Sequence, residues 1–405
     1  MLLGILRGVL FILGESGSEK SGLSLKYLGY SEKKLLVPWR PMKTFRFAVV
    51  SDPHIAVPET IEPKAQRFHL VEISQPALEK AIAHLITLKP DFLLIPGDLT
   101  QDGEPANHAW LQQRLKELPF PSYVIPGNHD VPSLTASDRG IGLADFPHYY
   151  PHCGYSDPQQ IYYSQTVGEG VQLIGLNSNS FDAQGKQIGY VEKEQLIWLE
   201  SELARHSDKL ILVMIHHNVI EHLPGQSHHE LGRRYMLENA PQLLKILHRH
   251  GVQLIFTGHL HVQDIAHQGG IYEITTGSLV SYPHPYRLIT AEEQDGQWHL
   301  QIESYRIDTL DEFQDLAIFS RQFLGDRSYG FMLRLLMAPP LNLPQSLAES
   351  MVPDLRYFWA EVAAGDQHFD FPHFPAPARY FLQQFSRYNH PPHLHFEDNN
   401  TVLKL

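Results

Sequence analysis

Cysteine is almost absent from this chain, and positive charge is in the minority. The 405 residues include one cysteine, Cys153, which excludes an intramolecular disulfide framework and favours a reducing, cytoplasmic compartment. Lys and Arg number 32 against 45 Asp and Glu, giving a formal net charge of -13. Because a nucleic-acid polymer requires a clustered basic surface, no such polymer is expected as a partner.

Long apolar runs are also missing, so no membrane span is expected. Residues 1–14 are largely apolar, but Arg7 interrupts them and the stretch is too short to cross a bilayer. Residues 1–41 are predicted to be an N-terminal extension. This extension is either genuine or the result of an upstream start, because Met42 directly precedes the first core strand. An anchor at a membrane interface is a weaker third alternative.

Side chains that can bind a metal follow five short apolar runs. Each run is rich in β-branched and large aliphatic residues and is bounded by Gly or Pro, which predicts a buried strand. The residues after these runs are Asp52 and His54; Asp98; Asn128, His129 and Asp130; His216 and His217; and His259 and His261. In an open parallel sheet, ligands collect beyond the carboxyl ends of the strands, so five such ends indicate one site.

Helical patterns alternate with these strands. Apolar residues recur at helical spacing around residues 78–86, 110–115, 196–203 and 243–247. The alternation predicts an α/β domain over residues 42–307, and later β segments at 272–278 and 299–307 suggest a second sheet packed on the first. Residues 308–405 are predicted to form a C-terminal extension that is helical at first and then rich in Pro, His and Phe.

Two long connections leave the edge of the sheet that carries the polar side chains. They cover residues 131–160 and 218–238. Long connections in a compact domain are usually either functional or disordered, so each is a candidate lid or substrate wall.

The ligand types indicate a pair of borderline divalent ions. Mixed carboxylate, imidazole and amide groups suit Fe, Mn, Zn or Co better than Ca or a thiolate-bound metal. Seven of the residues after these runs are candidate ligands, more than one ion needs once room is left for water and substrate, whereas two ions sharing a carboxylate use all seven. Asp98 is the candidate bridge, and glycine before Asp98, Asn128 and His259 allows a sharp turn beside a crowded ion pair.

In chain order, the motifs DxH, GD, GNHD, HH and GHxH resemble those of the calcineurin-like metallophosphoesterase superfamily over about residues 45–307. The resemblance implies two packed mixed β-sheets flanked by helices, a four-layer sandwich. It also implies one ion held by Asp52, His54, Asp98 and His261, and a second held by Asp98, Asn128, His216 and His259. His129 would contact the phosphate and stabilise or protonate the leaving oxygen, and Asp130 would orient His129. A hydroxide bridging the two ions would attack phosphorus in line.

Within this superfamily, residues 97–111 and 189–203 resemble the bacterial class III cyclic-nucleotide phosphodiesterases and related glycerophosphodiesterases. Phosphoprotein phosphatases of the superfamily carry an arginine soon after the bridging aspartate, where this chain has Gln101-Asp102-Gly103. The resemblance therefore implies a small phosphodiester substrate, such as a 3',5'-cyclic nucleotide. Two departures bear on substrate details: Asn218 replaces a frequent Pro, and Asn177 stands where Asp is common.

Several alternatives stay open. The chain could be a metal-dependent phosphomonoesterase, or a non-catalytic interaction scaffold of the same fold, and a nuclease is a more distant fourth reading. The sequence also leaves a homo-oligomer open. His217 is either a substrate contact or merely the neighbour of His216. The surplus histidines are expected to be solvated or packed and not ligands; they include His222, His228, His229, His393 and His395.

Overall fold

The computed structural model describes residues 43–62, 67–386 and 397–405. The predicted N-terminal extension, residues 1–41, lies outside the described residues, as do His393 and His395. The strands are β1 (Thr44–Val49), β2 (Phe92–Ile95), β3 (Ser122–Val124), β4 (Tyr163–Gly168), β5 (Val171–Gly175), β6 (Asn179–Phe181), β7 (Gln187–Gly189), β8 (Leu210–Met214), β9 (Leu254–Thr257), β10 (Asp264–Gln268), β11 (Ile271–Thr275), β12 (Pro285–Gln294), β13 (Gln297–Arg306) and β14 (Thr401–Lys404). The helices are α1 (Ser74–Leu88), α2 (Pro105–Lys116), α3 (Phe146–Tyr149), α4 (Lys193–Arg205), α5 (Glu230–Arg233), α6 (Ala240–Arg249), α7 (Leu316–Met337), α8 (Gln345–Met351), α9 (Phe358–Ala364) and α10 (Ala376–Gln383).

The strands form two mixed sheets of six strands each. Sheet 1 has the order β14-β13-β12-β1-β2-β3, and sheet 2 has the order β10-β11-β9-β8-β5-β4. The centre of sheet 1 is parallel, because β1, β2 and β3 run together while β12 joins β1 in the antiparallel direction. In sheet 2, β5, β8, β9 and β11 are parallel, and β4 and β10 are antiparallel edge strands.

The strands are divided between the sheets differently from the prediction. The five strands that precede the candidate ligands were expected in one parallel sheet, but β1 to β3 belong to sheet 1 and β8 and β9 to sheet 2. The later β segments do not form a sheet of their own, since β11 pairs with β9 and β13 pairs with β12. Periodicity reports that a segment is a strand and not which distant strand it pairs with, so this detail could not be predicted.

The two sheets pack face to face, with helices on their outer faces. On β8, Leu212 and Met214 belong to the core between the sheets, whereas Ile211 and Val213 point to a second core beneath α4 and α6. This alternation is the period of two expected of a strand buried on both faces. Helices α1 and α2 contribute to the core of sheet 1. The predicted fold class, two mixed sheets flanked by helices, is confirmed.

The C-terminal segment packs against the part of sheet 2 that carries two candidate ligands. Apolar residues of α7 to α10 form a third core with Leu260 and Val262, which flank His261. The chain then returns to sheet 1, where β14 pairs with β13. In the described part of the chain, no helix combines the length and apolar character needed to cross a bilayer. The predicted domain boundary at residue 307 stays a prediction.

Candidate metal centre

The carboxyl ends of the two parallel strand sets meet, and they bring the candidate ligands together. Asp52 and His54 follow β1, Asp98 follows β2, and His216 follows β8. These four side chains are buried, with 0% to 1% exposure, and form the floor of the site. The remaining candidates, Asn128, His259 and His261, are half-buried at its rim.

Four candidates cluster around one position. Ligand atoms of Asp52, His54, Asp98 and His261 all lie within 4.8 Å of one another. His54 Nε2 lies 3.2 Å from His261 Nε2, and His261 Nε2 lies 3.3 Å from Asp52 Oδ1. The two imidazole nitrogens face each other between carboxylates. A metal ion at this position would bind all of these donor atoms, whereas a single proton could bridge only one pair of them.

The other candidates cluster around a second position, and Asp98 belongs to both groups. Ligand atoms of Asp98, His216 and His259 lie within 4.8 Å of one another. His216 Nε2 lies 3.1 Å from Asn128 Oδ1 and 3.4 Å from Asp98 Oδ1. The other carboxylate oxygen, Asp98 Oδ2, lies 3.7 Å from His54 Nε2 in the first group. Asp98 therefore has one oxygen directed at each group.

Hydrogen bonds to the outer nitrogens orient the histidines of the second group. His216 Nδ1 lies 2.8 Å from the carbonyl oxygen of Pro96, and His259 Nε2 lies 3.3 Å from the carbonyl oxygen of Arg234. A carbonyl oxygen only accepts, so these nitrogens carry the hydrogens. The other ring nitrogens, His216 Nε2 and His259 Nδ1, are the atoms left to bind a metal ion, an arrangement typical of metal-binding histidine.

A family model for calcineurin-like phosphoesterases matches residues 45–263, more than half of the chain. The chain belongs to this family. The predicted metallophosphoesterase is thus confirmed, while its substrate is a separate question. Every candidate ligand lies within the matched residues.

Curated proteins similar to this phosphoesterase carry phosphodiesterase names. A probable glycerophosphodiester phosphodiesterase of Arcobacter nitrofigilis is 28% identical over 52% of this chain and 70% of its own length. A probable cyclic nucleotide phosphodiesterase of Synechococcus is 28% identical over 66% of this chain and 95% of its own length. Among solved structures, a dimetal phosphatase from Danio rerio is 16% identical, with a TM-score of 0.46, over 63% of this chain and 95% of that chain.

The backbone of the phosphoesterase is strained at five candidate ligands. Positive φ angles occur at Asp52 (47°), His54 (43°), Asp98 (48°), His259 (67°) and His261 (58°). Residues with a Cβ rarely adopt this left-handed region, and such strain is concentrated at functional sites. The strained φ angles are therefore consistent with a site in which the backbone adopts an unfavourable conformation so that the ligand side chains point at a common position.

Two glycines make room for the carboxylates, and the donor set fits a metal pair. A Cβ at Gly127 would collide with Asp98 Oδ1, and one at Gly258 would collide with Asp52 Oδ2. His54 Nδ1 is buried without a hydrogen-bond partner among the described residues. The orientation of the His54 ring therefore depends on packing and on the group that binds its Nε2. Carboxylates, imidazoles and one amide oxygen in two groups are the donors that Fe, Mn, Zn or Co accept.

Charges within the site favour deprotonated ligands at most positions. Burial lowers the pKa of His54 and of His259 well below the usual value, so both rings are neutral and able to coordinate. Burial alone would raise the pKa of Asp98, but His216 and His129 around it lower that pKa well below its usual value. Burial opposes the charged form of His216, yet the carboxylate of Asp98 raises its pKa to about 9. A metal ion at this position must therefore displace a proton from His216.

His129 lies at the rim with its ring accessible. Its backbone N–H donates to Asp98 Oδ1 over 2.8 Å, and its ring Nδ1 lies 2.6 Å from the carbonyl oxygen of Gln101. Nδ1 therefore carries a hydrogen, and Nε2 is the atom available to a substrate. The side chain is 31% exposed.

Asp130 does not contact the His129 ring, in contrast to the expectation that it orients this ring. Its carboxylate is buried and accepts hydrogen bonds from the backbone N–H groups of Leu99, Thr100 and Gly127 at 2.8 to 3.0 Å. Burial, followed by the charge of Asp98, raises the pKa of Asp130 to about 7. Asp130 thus joins the loop that follows Asp98 to the loop that begins at Gly127, because GNHD forms a turn in which the aspartate points inward.

Of the other histidines considered from the sequence, none that the structure describes belongs to the two candidate ligand groups. His217 is buried, with Nδ1 2.8 Å from Ser178 Oγ and its ring 4.5 Å from the His259 ring, so its role as a substrate contact or a neighbour of His216 stays a prediction. His222 has a buried side chain between Asp264 and Glu273, and His229 caps α5 by accepting from the Leu231 N–H. His228 is exposed.

Of the two long connections, residues 218–238 contact the site directly. The carbonyl oxygen of Arg234 bonds to His259, and the ring of Tyr235 lies 5.0 Å from the His259 ring. Residues 131–160 adjoin the loop after Asp98, where the Ile141 N–H donates to the Gly103 carbonyl oxygen over 2.9 Å. Residues 218–238 therefore form a wall beside His259, whereas residues 131–160 contact the loop after Asp98.

One residue of the cluster, His69, is not predicted from the sequence. His69 forms a group with His54 and His261, with ligand atoms within 4.8 Å of one another. It lies in the connection between β1 and α1 and follows no strand, so nothing in the sequence separated it from the surplus histidines outside the motifs.

Proposed function

We propose that this protein is a binuclear metal-dependent phosphodiesterase that hydrolyses small phosphodiesters, with 3',5'-cyclic nucleotides and glycerophosphodiesters as the substrate classes. One observation carries the proposal: Asp98 directs one carboxylate oxygen at His54 and the other at His216. A carboxylate shared in this way is what two neighbouring ions require, and two-ion centres serve phosphoryl transfer.

A diester is favoured over a monoester by the residues after Asp98. A phosphomonoester carries up to two negative charges, and an arginine clamp matches them. At the corresponding place this chain has Gln101, a neutral side chain that is 5% exposed and bonded to His69. The names of the two curated relatives point to the same pair of diester classes.

The candidate ligands would hold Fe, Mn, Zn or Co ions, with Asp98 common to both. Bound ions would supply Lewis-acid polarisation of the phosphoryl group and lower the pKa of the attacking water. The protein residues fix the positions of the ligands in advance, through the turns at Gly127 and Gly258 and the backbone hydrogen bonds to Asp130. Because these ligands are already in position, little free energy is needed to reorganise the site during the reaction.

His129 is the proposed general acid. Its Nδ1–H donates to the Gln101 carbonyl oxygen, which fixes the ring, and Asp102 Oδ1 lies 3.9 Å from the same nitrogen. Nε2 then holds the proton that the leaving oxygen receives. This proton transfer allows an alcohol to leave in place of an alkoxide.

The test is hydrolysis of bis(p-nitrophenyl) phosphate and p-nitrophenyl phosphate by the full-length protein loaded with Mn, Zn, Fe or Co. We expect the diester to be cleaved with the higher kcat/KM, and the activity to fall more than about 100-fold in Asp98→Asn, because loss of a shared ligand exceeds the 10- to 100-fold effect of losing an outer-sphere contact. Asp138→Asn, at an exposed position, is the matched control. A preference for the monoester would replace this proposal with a phosphomonoesterase.

A further inference from the structure

His69 borders the ligand cluster although it lies outside the five motifs. Its ring stacks on the His54 ring at a centroid distance of 4.4 Å and an interplanar angle of 15°. The His261 ring centroid is 5.7 Å away. The first ligand group already has four protein side chains, so His69 stands beside a group that is complete without it.

The position of His69 is fixed by contacts on its side chain and its main chain. Its Nε2 lies 2.9 Å from Gln101 Oε1. The next residue, Leu70, donates its backbone N–H to the carbonyl oxygen of Val280 over 2.8 Å. A ring held in this way loses little conformational entropy when it binds a ligand.

Gln101 anchors two imidazoles at once. Its side-chain oxygen bonds to His69, and its carbonyl oxygen accepts from His129 Nδ1 over 2.6 Å. The ring centroids of His69 and His129 are 6.2 Å apart, with the rings nearly perpendicular at 85°. The proposed general acid and His69 therefore lie next to each other beside the first ligand group.

The bond to Gln101 determines what His69 can recognise. Because Gln101 Oε1 accepts, His69 Nε2 carries the ring hydrogen and Nδ1 keeps its lone pair. A lone-pair nitrogen does not bind a phosphoryl oxygen, which is also an acceptor, but it does bind a hydroxyl group. The two proposed substrate classes share such a group: the ribose 2'-hydroxyl and the glycerol C2 hydroxyl each lie on the carbon next to an ester-bearing carbon.

We propose that His69 is a specificity-determining residue that accepts a hydrogen bond from the substrate hydroxyl on the carbon next to the ester-bearing carbon. The inference rests on the proposed phosphodiesterase function and adds the chemical feature that the site selects. It explains why a histidine outside the ligand set is held so firmly beside the cluster.

The test compares kcat/KM for two matched substrate pairs on the metal-loaded full-length protein. The pairs are 3',5'-cyclic AMP with its 2'-deoxy analogue, and glycerophosphoethanolamine with 3-hydroxypropyl phosphoethanolamine. In at least one pair we expect the hydroxyl-bearing member to be favoured by about five- to ten-fold, the effect of one neutral hydrogen bond. In His69→Phe, which keeps a ring against His54 but lacks an acceptor, this ratio should fall to about one.

Two further variants sharpen the comparison. His69→Asn, whose carbonyl oxygen replaces Nδ1 as an acceptor, should keep part of the ratio. His152→Phe, at an exposed position, should keep all of it. If His69→Phe does not fold, Gln101→Leu replaces it, because removal of the anchor releases the His69 ring and should likewise reduce the ratio.

Three results overturn the inference. These are a wild-type ratio near one for both pairs, a wild-type ratio retained by His69→Phe, and a lower metal content in His69→Phe by elemental analysis, which would make His69 a metal ligand. Bis(p-nitrophenyl) phosphate, which has no such hydroxyl, separates this inference from the proposed function. Cleavage of that compound without cleavage of either pair removes the inference alone, whereas no diester cleavage at all removes both.

Discussion

Asp98 Oδ1 lies 3.4 Å from His216 Nε2, and this contact joins the carboxyl edges of two different sheets. Asp98 follows β2 of sheet 1, and His216 follows β8 of sheet 2. The candidate centre therefore exists only when the sheets are packed, and its geometry depends on the apolar core between them. Within that core, the rings of Phe47 and Phe256 meet edge to face at 5.4 Å.

Gly127→Ala should disturb the centre without removing a ligand. The added Cβ would collide with Asp98 Oδ1 and with the Asp98 backbone nitrogen, so one of the loops must move. We expect a loss of about 1–3 kcal/mol in the free energy of unfolding, together with a lower metal content. Gly330→Ala is the control, because a Cβ there meets nothing within 4 Å and should slightly stabilise α7. Equal metal content in the two variants would contradict the predicted crowding.

Asp130→Asn tests whether this carboxylate supports the loops or orients His129. An amide cannot accept from all the N–H groups that bond to Asp130, so we expect about 1–3 kcal/mol of destabilisation in urea titrations. The pH profile of kcat should keep its shape, because the hydrogen bond from His129 Nδ1 to the Gln101 carbonyl oxygen remains. A shifted limb assigned to His129 would instead support the orienting role.

The buried pair His222 and Glu273 should make stability depend on pH. Burial lowers the pKa of His222, but Glu273 and Asp264 outweigh it and raise that pKa to about 10, against 6.5 in the unfolded chain. The stabilisation is fully present below pH 6.5 and is lost as the pH rises through about 10. The wild-type free energy of unfolding should therefore decline over that interval by up to about 1.4 kcal/mol per pH unit.

His222→Gln should remove this decline and lower stability at neutral pH, because the variant leaves the buried Glu273 and the half-buried Asp264 without a cation. The exposed His228→Gln is the control and should behave as wild type. Identical pH profiles for wild type and His222→Gln would rule out a charged His222.

Leu336→Ala tests whether the C-terminal segment is structurally part of the phosphoesterase. Leu336 is fully buried in the core that includes Leu260, between His259 and His261. We expect a loss of about 2–5 kcal/mol, in a single unfolding transition shared with the sheets. Met337→Ala, at a position that is 38% exposed, should have little effect. Two separate transitions, with only one of them shifted, would show that residues after 307 fold independently.

The sequence located the candidate ligands because each is local to a recognisable boundary. Asp98, Asn128 and His259 each follow a glycine at the end of an apolar run, so type, order and position could be assigned from short segments. The division of β8 and β11 between sheets could not be assigned, since strand pairing depends on contacts far apart in the chain.

His69 and Glu273 show a second limit. His69 reaches the site from a loop, and Glu273 holds the start of residues 218–238 by accepting from the Val219 and Ile220 N–H groups. Neither residue lies in a recognisable sequence motif, because the contacts that give it a role form only in the tertiary fold. The inward turn of Asp130 was missed for the same reason.

Elemental analysis of the purified full-length protein tests the central claim most directly. Wild type, purified with Mn, Zn, Fe or Co present, should hold two transition-metal ions per chain, and Asp98→Asn should hold fewer because its amide nitrogen replaces one of the two oxygens that Asp98 directs at the groups. An Asp98→Asn variant that folds and still binds two ions would contradict a shared carboxylate. A wild-type protein that binds no transition metal would contradict the whole account.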